Sequence, residues 1–253
     1  MMTTVQDAYE TFGTPGAGRF FFTCEHASNR VPAPLRTTAM DRAWLETHWG
    51  YDIGARTMSR ELARMTGSYA VMARFSRLVV DANREPHHRD LIRPATEGHA
   101  LTFNASVSDV ERERRISRFH EPYHAAVDEG LAARLAGGVG DILLLSVHSF
   151  TPVWNNRVRP MDVGVLFSPY EAVARRLEAE LQKEGLETAL NKPYSGREGL
   201  IYAAERHGQS HQVVFLELEV NQSLCCTPAR ARRAARRIAA ALTRLHVRQA
   251  RRS

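Results

Sequence analysis

A continuous apolar run in the middle of the chain limits the possible folds more than any other feature. It extends from Asp141 to Val147, and its length is typical of a β-strand that is buried on both faces of a parallel sheet. Strand-like and helix-like segments alternate on either side of it. The other strand candidates are Phe20 to Cys24, Tyr69 to Phe75, Leu78 to Val80, Asp162 to Phe167 and Val213 to Val220. The helix candidates are Asp52 to Met65, Val110 to Leu135 with a break or restart near Pro122, and Tyr170 to Glu184. This alternation predicts an α/β fold in three layers, α/β/α, with a mostly parallel central sheet.

The overall composition is that of a globular protein. Of the 253 residues, 43% are hydrophobic and 25% are charged, which excludes collagen-like and largely disordered chains. We find no internal repeat and no dividing linker, so we expect one domain over residues 1–253.

No apolar stretch approaches the ~18 residues that a membrane-spanning helix requires, and we predict no membrane partner. Residues 1–18 lack a basic segment followed by an apolar one, and the three cysteines form no CxxC pair, so we expect a cytoplasmic location.

The formal net charge of +6 is distributed unevenly. Residues 228–253 contain nine arginines and no acidic residue, so the rest of the chain carries a charge of −3. Thr227 and Pro228 are typical of a helix N-cap and a first helical position, and apolar residues follow at steps of three and four. We therefore predict a basic amphipathic helix over 228–253 that packs on the core, with its arginines in solvent and no nucleic-acid partner. A protein that binds nucleic acid through this segment is the alternative.

Two histidines lie where predicted strands end. His26 follows the strand candidate that ends at Cys24, and His148 follows the central apolar run. Because ligands bind at the carboxyl edge of a parallel sheet, both side chains can face one cleft. A catalytic zinc ion usually takes three nitrogen or oxygen ligands and keeps a fourth position for water. Asp52 is the best-placed carboxylate ligand, although a helix N-cap role also accounts for it, and Glu25 is the competing ligand.

Two glutamates lie within the last predicted strand. Glu219 stands between Leu218 and Val220, and a carboxylate at such a position is costly to bury unless it is paired, bound to metal or used in catalysis. Glu217 has the same facing because side chains in a strand alternate with a period of two. Either glutamate is a candidate general base for a metal-bound water molecule.

Seven sequence blocks resemble the N-formylglutamate amidohydrolase family, and they occur in order over residues 20–225. They are Cys24 to Pro32, Tyr51 to Ala55, Ser76 to Arg84, Tyr123-His124, Val147 to Phe150, Asn191 to Gly196 and Glu217 to Asn221. The resemblance implies a zinc-dependent, phosphorylase/hydrolase-like amidohydrolase, similar in layout to zinc carboxypeptidases. It also implies that His26, Asp52 and His148 hold the zinc ion and that Glu219 is the general base.

The resemblance further implies a small N-acyl amino acid as substrate, in the first place N-formyl-L-glutamate, and a role in histidine catabolism. Such a substrate has two carboxylates, which arginine forks bind well. Arg84 is the first candidate for this contact, and Arg77 and Arg93 follow. Asn83 is a candidate donor to the oxyanion, and His124 is a candidate assistant in catalysis.

The block at the last strand departs from the family pattern. It is Glu219-Val220-Asn221-Gln222-Ser223-Leu224, where many members have a sequence like Glu-Ile-Arg-x-Asp-Leu. An amidase or peptidase that acts on another N-acyl amino acid or a small peptide is therefore the alternative. The sequence leaves the oligomeric state open between a monomer and a homodimer.

Overall fold

The computed structural model of the protein describes residue 3, residues 6–138 and residues 141–247. The described strands are β1 (Tyr9–Phe12), β2 (Phe20–Cys24), β3 (Tyr69–Ala73), β4 (Ala95–Thr96), β5 (His99–Ala100), β6 (Leu143–Phe150), β7 (Val153–Trp154), β8 (Arg157–Val158), β9 (Val163–Leu166), β10 (Thr188–Leu190) and β11 (Val214–Asn221). The described α-helices are α1 (Ala39–Leu45), α2 (Ala55–Thr66), α3 (Asp109–Arg115), α4 (Glu121–Ala136), α5 (Glu171–Lys183), α6 (Tyr202–Ser210) and α7 (Pro228–Arg244). One π-turn (Ile116–His120) joins α3 to α4, and short 3-10 turns lie at Thr102–Asn104, Gly196–Glu198 and Gln222–Leu224.

Seven strands form the central sheet in the order β1-β3-β2-β6-β11-β9-β10. Strands β3, β2, β6 and β11 run parallel to one another, whereas β1 is antiparallel to β3. Strands β9 and β10 are parallel to each other and antiparallel to β11. The predicted α/β class with a mostly parallel sheet is therefore confirmed, and the carboxyl ends of β2, β6 and β11 meet at one edge.

Both faces of the sheet are covered, as the apolar run in β6 predicts. Leu143, Leu145 and Val147 pack on one face with α2, α5 and α7, while Leu144 packs on the other face with α4 and α6. Every residue of β6 is buried. The two separate clusters of apolar side chains make the three layers of the predicted α/β/α arrangement.

The predicted C-terminal helix is present as α7 over Pro228–Arg244, and residues 248–253 lie outside the described part of the chain. The Thr227 hydroxyl caps the helix by accepting from the Arg230 N–H, and the apolar face is buried against α2 and α5. Arg244 forms ion pairs of 2.8 Å with Glu180 on α5 and with Glu184, the residue that caps the C-terminus of α5. Within the described residues, no helix combines the length and the apolar character needed to cross a membrane.

The strand prediction for Leu78 to Val80 is wrong, although these residues are buried. The Val79 N–H donates to the Ser76 carbonyl at 2.8 Å and so closes a turn. The carbonyl oxygens of Leu78 and Val79 accept from Asn104 and Arg115 instead of from a neighbouring strand. The short strands β1 and β10 were not predicted.

Candidate active site

The site lies at the carboxyl edge of β2, β6 and β11. His26 follows β2, and the β6–β11 register places Glu219 beside His148. Asp52 comes from the loop before α2, where its backbone N–H donates to the His26 carbonyl at 2.9 Å. Gly54 ends this loop with φ of 86°, and a Cβ there would lie 2.2 Å from the Cys225 carbonyl oxygen. The structure thus brings together the three predicted ligands and the predicted base.

The Nδ1 atoms of both histidines converge on Asp52. The His148 Nδ1 atom lies 2.7 Å from Asp52 Oδ2, and the His26 Nδ1 atom lies 3.5 Å from Asp52 Oδ1. The three side chains are buried, and one ligand atom from each lies within 4.8 Å of the others. The His26 Nδ1 atom has no hydrogen-bond partner among the described residues. A buried ring nitrogen that lacks a partner beside a carboxylate and a second imidazole fits a metal ligand.

The opposite ring nitrogen of each histidine is held by a second carboxylate. The Nε2 atom of His26 lies 2.7 Å from Asp81 Oδ1, and that of His148 lies 2.9 Å from Glu25 Oε2. Because a carboxylate accepts the hydrogen bond, Nε2 carries a hydrogen in both rings. The Nδ1 atom of His148 also faces a carboxylate and donates to Asp52 when the ring is protonated. This arrangement fixes the orientation of each imidazole and directs its Nδ1 atom toward Asp52, as is typical of metal-binding histidines.

Glu25, the alternative ligand, lies behind His148 and does not line the cleft. Its Oε1 atom accepts from the Tyr123 hydroxyl at 2.7 Å, and its Oε2 atom accepts from Ser146 as well as from His148. Burial alone would raise its pKa, but these hydrogen bonds lower the pKa of Glu25 to about 2. Glu25 is therefore an ionised carboxylate that orients His148.

The remaining charges divide into paired and unpaired groups. Arg77 donates to Asp81 at 2.9 Å and lies 3.8 Å from Asp52. Burial alone would raise the pKa of Asp81, but Arg77 and His26 hold it well below its usual value. Burial would lower the pKa of His148, but Glu217 and the bonds to Asp52 and Glu25 raise it well above its usual value.

For Glu217 and Glu219, burial outweighs the nearby positive charge of His148. Burial raises the pKa of Glu217 to about 7 and raises the pKa of Glu219 well above its ordinary value. Glu217 accepts from Asn83 Nδ2 at 3.5 Å and lies 3.7 Å from His148 Nε2, whereas Glu219 Oε2 has no partner among the described residues. Together with the donor set above, this surplus of buried carboxylates fits a divalent cation at the site.

These groups form the floor of a cleft of about 220 Å³. The predicted substrate-binding residues Arg77, Asn83, Arg84 and Arg93 all line it. His124 does not line the cleft. It lies on α4 behind the cleft wall, where its Nδ1 atom is 2.8 Å from the Nε2 atom of His207.

Several residues of the cleft have no role predicted from the sequence. Asp81 directly follows the apolar run Leu78 to Val80, and that position was the available signal for it. The aromatic residues Trp49, Trp154 and Tyr194 also line the cleft. They lie on separate loops, and no periodic pattern in the sequence connects them.

The fold and the site together define an α/β protein with a buried cleft of two histidines and several carboxylates, a donor set suited to metal-dependent hydrolysis. The family model for N-formylglutamate amidohydrolase matches residues 18–226. The chain therefore belongs to the N-formylglutamate amidohydrolase family, which confirms the predicted resemblance and the predicted amidohydrolase class.

Individual relatives agree with this membership. The chain is 29% identical to an N-formylglutamate deformylase of Pseudomonas aeruginosa over 180 residues, which are 64% of this chain and 66%, just under two thirds, of that protein. A gene product of Agrobacterium tumefaciens of known structure has a TM-score of 0.84 and 26% identity, with 94% of this chain and 96% of that chain covered. An N-formylglutamate amidohydrolase of Ralstonia eutropha has the same fold, with a TM-score of 0.67, 20% identity, and 94% and 97% of the two chains covered.

Proposed function

We propose that the protein is a metal-dependent amidohydrolase that cleaves the amide bond of an N-acyl amino acid. N-formyl-L-glutamate is the first candidate substrate because the Pseudomonas aeruginosa relative is named for its deformylation. The observation that carries the proposal is the convergence of two histidine Nδ1 atoms on Asp52, with Glu219 in the same cleft and its Oε2 atom without a hydrogen-bond partner among the described residues.

His26, Asp52 and His148 would hold the metal ion, and zinc suits two imidazoles and one carboxylate. A zinc ion in such a site polarises a carbonyl group and lowers the pKa of a water molecule toward ~7. Asp81 and Glu25 keep the two imidazoles in the orientation described above. A histidine that binds metal through Nδ1 must have no proton on that nitrogen. A carboxylate that accepts from Nε2 favours this state, because it stabilises the proton on Nε2.

Glu219 acts as the general base. Its Oε2 atom is buried in the cleft and has no hydrogen-bond partner among the described residues, so in its ionised form Glu219 can accept a proton from the attacking water molecule. Burial raises its pKa, which favours holding that proton until the leaving amine nitrogen takes it. Glu217 is less suited because its carboxylate already faces Asn83 and His148.

Arg84 binds the substrate carboxylate. It lines the cleft, and no acidic side chain of the described residues lies within ion-pair distance of it. Asn83 has a different part, because its Oδ1 atom accepts from the Ala203 N–H at 2.9 Å and its Nδ2 atom faces the Leu200 carbonyl at 3.3 Å. Asn83 therefore joins the loop that carries Asn83 and Arg84 to α6 and to Glu217.

The proposal is tested by comparing Glu219→Gln with Glu217→Gln. We expect Glu219→Gln to bind as much metal as the wild type and to lose at least about a hundredfold in kcat, since general-base contributions are of that size. Formate release from N-formyl-L-glutamate gives the rate, and metal analysis of the purified protein gives the occupancy. If Glu217→Gln is the inactive variant, the base is wrongly assigned; full activity after complete removal of metal by a chelator contradicts the metal-dependent reaction itself.

A further inference from the structure

Arg159 lies over aromatic side chains that line the cleft. Its guanidinium carbon is 5.5 Å from the centroid of the Trp154 ring and 5.3 Å from that of the Tyr194 ring. The Phe150 ring lies 5.8 Å from the same carbon. All three rings line the cleft, and Arg159 is partly exposed. Contacts between a guanidinium and aromatic rings are attractive, so the rings keep the positive charge of Arg159 at the rim of the cleft.

The backbone of Arg159 is fixed at the edge of the sheet where the site lies. The side-chain amide of Asn221, the last residue of β11, donates to the Arg159 carbonyl at 3.2 Å and to the Met161 carbonyl at 3.0 Å. The Arg159 N–H donates to the Pro152 carbonyl at 2.8 Å. Glu219 lies two residues before Asn221 on β11. Arg159 is therefore held at the same edge as the candidate general base.

The guanidinium of Arg159 has unused donors. Among the described residues, only its Nη1 atom forms hydrogen bonds, at 3.3 Å to the Thr151 hydroxyl oxygen and at 3.5 Å to the Thr151 carbonyl and the Tyr194 hydroxyl oxygen. These distances are long for a hydrogen bond. No acidic side chain of the described residues lies within ion-pair distance. Because the Nε and Nη2 atoms of an arginine form a fork that matches the two oxygens of a carboxylate, Arg159 can bind such a group.

The other arginines of the cleft differ in their partners. Arg77 and Arg93 are each paired with aspartate. Arg84 and Arg159 have no acidic partner within the described chain. Arg84 is carried by the loop that Asn83 joins to α6, whereas Arg159 is carried by the segment between β8 and β9. Since different segments carry these two cations, they can hold two separate carboxylates.

We propose that Arg159 binds the side-chain carboxylate of a dicarboxylate substrate, while Arg84 binds the α-carboxylate, and that Arg159 thereby selects N-acyl amino acids with an acidic side chain. This inference rests on the proposed amide hydrolysis and names the residue that sets the preference for the side chain. Arg84 lines the cleft together with the candidate catalytic groups, which suits the carboxylate nearest the amide nitrogen. Arg159 lies at the rim, where a longer side chain brings its charge and where Trp154 and Tyr194 can contact the methylene groups.

The test compares N-formyl-L-glutamate with N-formyl-L-glutamine, which has nearly the same shape and no charge on its side chain. In the purified zinc-loaded protein, we expect Arg159→Met to lower kcat/KM for N-formyl-L-glutamate by roughly 10–100-fold, the effect of losing hydrogen bonds to a charged group. The loss for N-formyl-L-glutamine should be smaller by about fivefold or more, because a neutral amide accepts a weaker hydrogen bond.

Two further variants connect the preference to the fork of Arg159. Arg159→Lys keeps the charge without the fork and should recover part of the loss. Arg197→Met is the matched control, because Arg197 also stacks on an aromatic ring, that of Phe167 at 5.1 Å, but this ring does not line the cleft and Arg197 pairs with Glu171. It should leave the ratio of the two substrates unchanged. An equal loss for both substrates in Arg159→Met, or the same change of ratio in Arg197→Met, overturns the inference.

Binding separates this inference from the proposed function. Calorimetric titration of Glu219→Gln, with and without Arg159→Met, measures the affinity for each compound without requiring turnover. If the wild type hydrolyses neither compound, the proposed function fails, and the titrations still decide the inference. Tighter binding of N-formyl-L-glutamate than of N-formyl-L-glutamine, lost in Arg159→Met, supports it. Equal binding of the two compounds, binding of neither, or a preference that persists in Arg159→Met overturns it.

Discussion

Replacement of Arg115 tests what fixes the position of the cleft loop, the segment that carries Asp81, Asn83 and Arg84. Arg115 lies on α3 with 2% of its surface exposed. Its guanidinium donates to the Val79 carbonyl at 3.1 Å, to the Phe103 carbonyl at 2.6 Å and to the side chain of Asn104. It also forms an ion pair of 2.9 Å with the partly exposed Glu111. One side chain therefore joins both ends of the segment that carries Asp81, Asn83 and Arg84. We predict that Arg115→Met destabilises the protein strongly, since methionine fills similar space and donates no hydrogen bond.

The magnitude follows from the three acceptors that lose their donor. A buried acceptor without a partner costs about 1–3 kcal/mol, and partial relaxation makes the sum smaller than three independent losses. We expect Arg115→Met to lower the free energy of unfolding by about 3–5 kcal/mol, the range found when one member of a buried charged network is removed. At about 2–4 °C for each kcal/mol in a chain of this size, Tm should fall by roughly 6–20 °C.

The chain supplies a matched control in the neighbouring Arg114. It pairs with the same glutamate, Glu111, at 3.5 Å, but its side chain is 54% exposed. Arg114→Met should change the free energy of unfolding by no more than about 0.5 kcal/mol, since exposed helix pairs contribute little. Urea unfolding of both variants by circular dichroism gives the comparison. If the two variants differ by less than about 1 kcal/mol, the three hydrogen bonds of Arg115 do not hold the cleft loop as argued.

Two further predictions concern carboxylates that hold histidines. Asp81→Asn should weaken metal binding by about 10–100-fold, because His26 loses the carboxylate that orients it. Competition with a chelator measures the affinity for the metal. Asp90→Asn is the control, since Asp90 lies in the same loop but pairs with Arg93, and it should leave that affinity unchanged. Partial burial would raise the pKa of Asp128, but hydrogen bonds from His207 and His211 lower that pKa to about 2. Because the pKa of Asp128 is lower in the folded chain than in the unfolded chain, its ionised carboxylate stabilises the fold above about pH 4, the pKa of the unfolded chain. This stabilisation is lost as the pH falls through about 2, the pKa of the folded chain. Asp128→Asn should therefore cost up to about 1 kcal/mol in urea unfolding at pH 6, with a gap to the wild type that shrinks below pH 4; a gap independent of pH contradicts the assignment.

The central part of the site was predictable because it follows from topology. His26, His148 and Glu219 lie at or near the ends of strands, and parallel strands place those ends at one edge whatever the loops do. The partners of the histidines were not predictable in the same way. Glu25 directly follows β2, and its side chain could point either into the cleft or toward the back of His148. The spacing of residues in the sequence left both orientations open.

The incorrect and missed elements have related causes. Leu78 to Val80 has the composition of a strand, but its carbonyl groups are satisfied by side chains of Asn104 and Arg115, which lie far along the chain. Strands β1 and β10 have four and three residues, and such short edge strands carry too few residues to show a period of two. The cleft residues Trp49, Trp154 and Tyr194 were missed because they lie on three loops that share no sequence pattern.

The distribution of charge gives the strongest physical reason to regard the cleft as functional. The whole chain has a formal charge of +6, yet the cleft holds four carboxylates, Asp52, Asp81, Glu217 and Glu219, and burial raises the pKa of the last two. A fold maintained for stability alone would replace such side chains by apolar ones of similar volume, because two buried acids whose charge is disfavoured by burial lower the stability of the folded state. Arg77 pairs with Asp52 and Asp81 and forms no ion pair with either glutamate. The proposed function accounts for both glutamates, since a cation in the cleft would reduce the cost of their charge and amide hydrolysis would use their affinity for a proton.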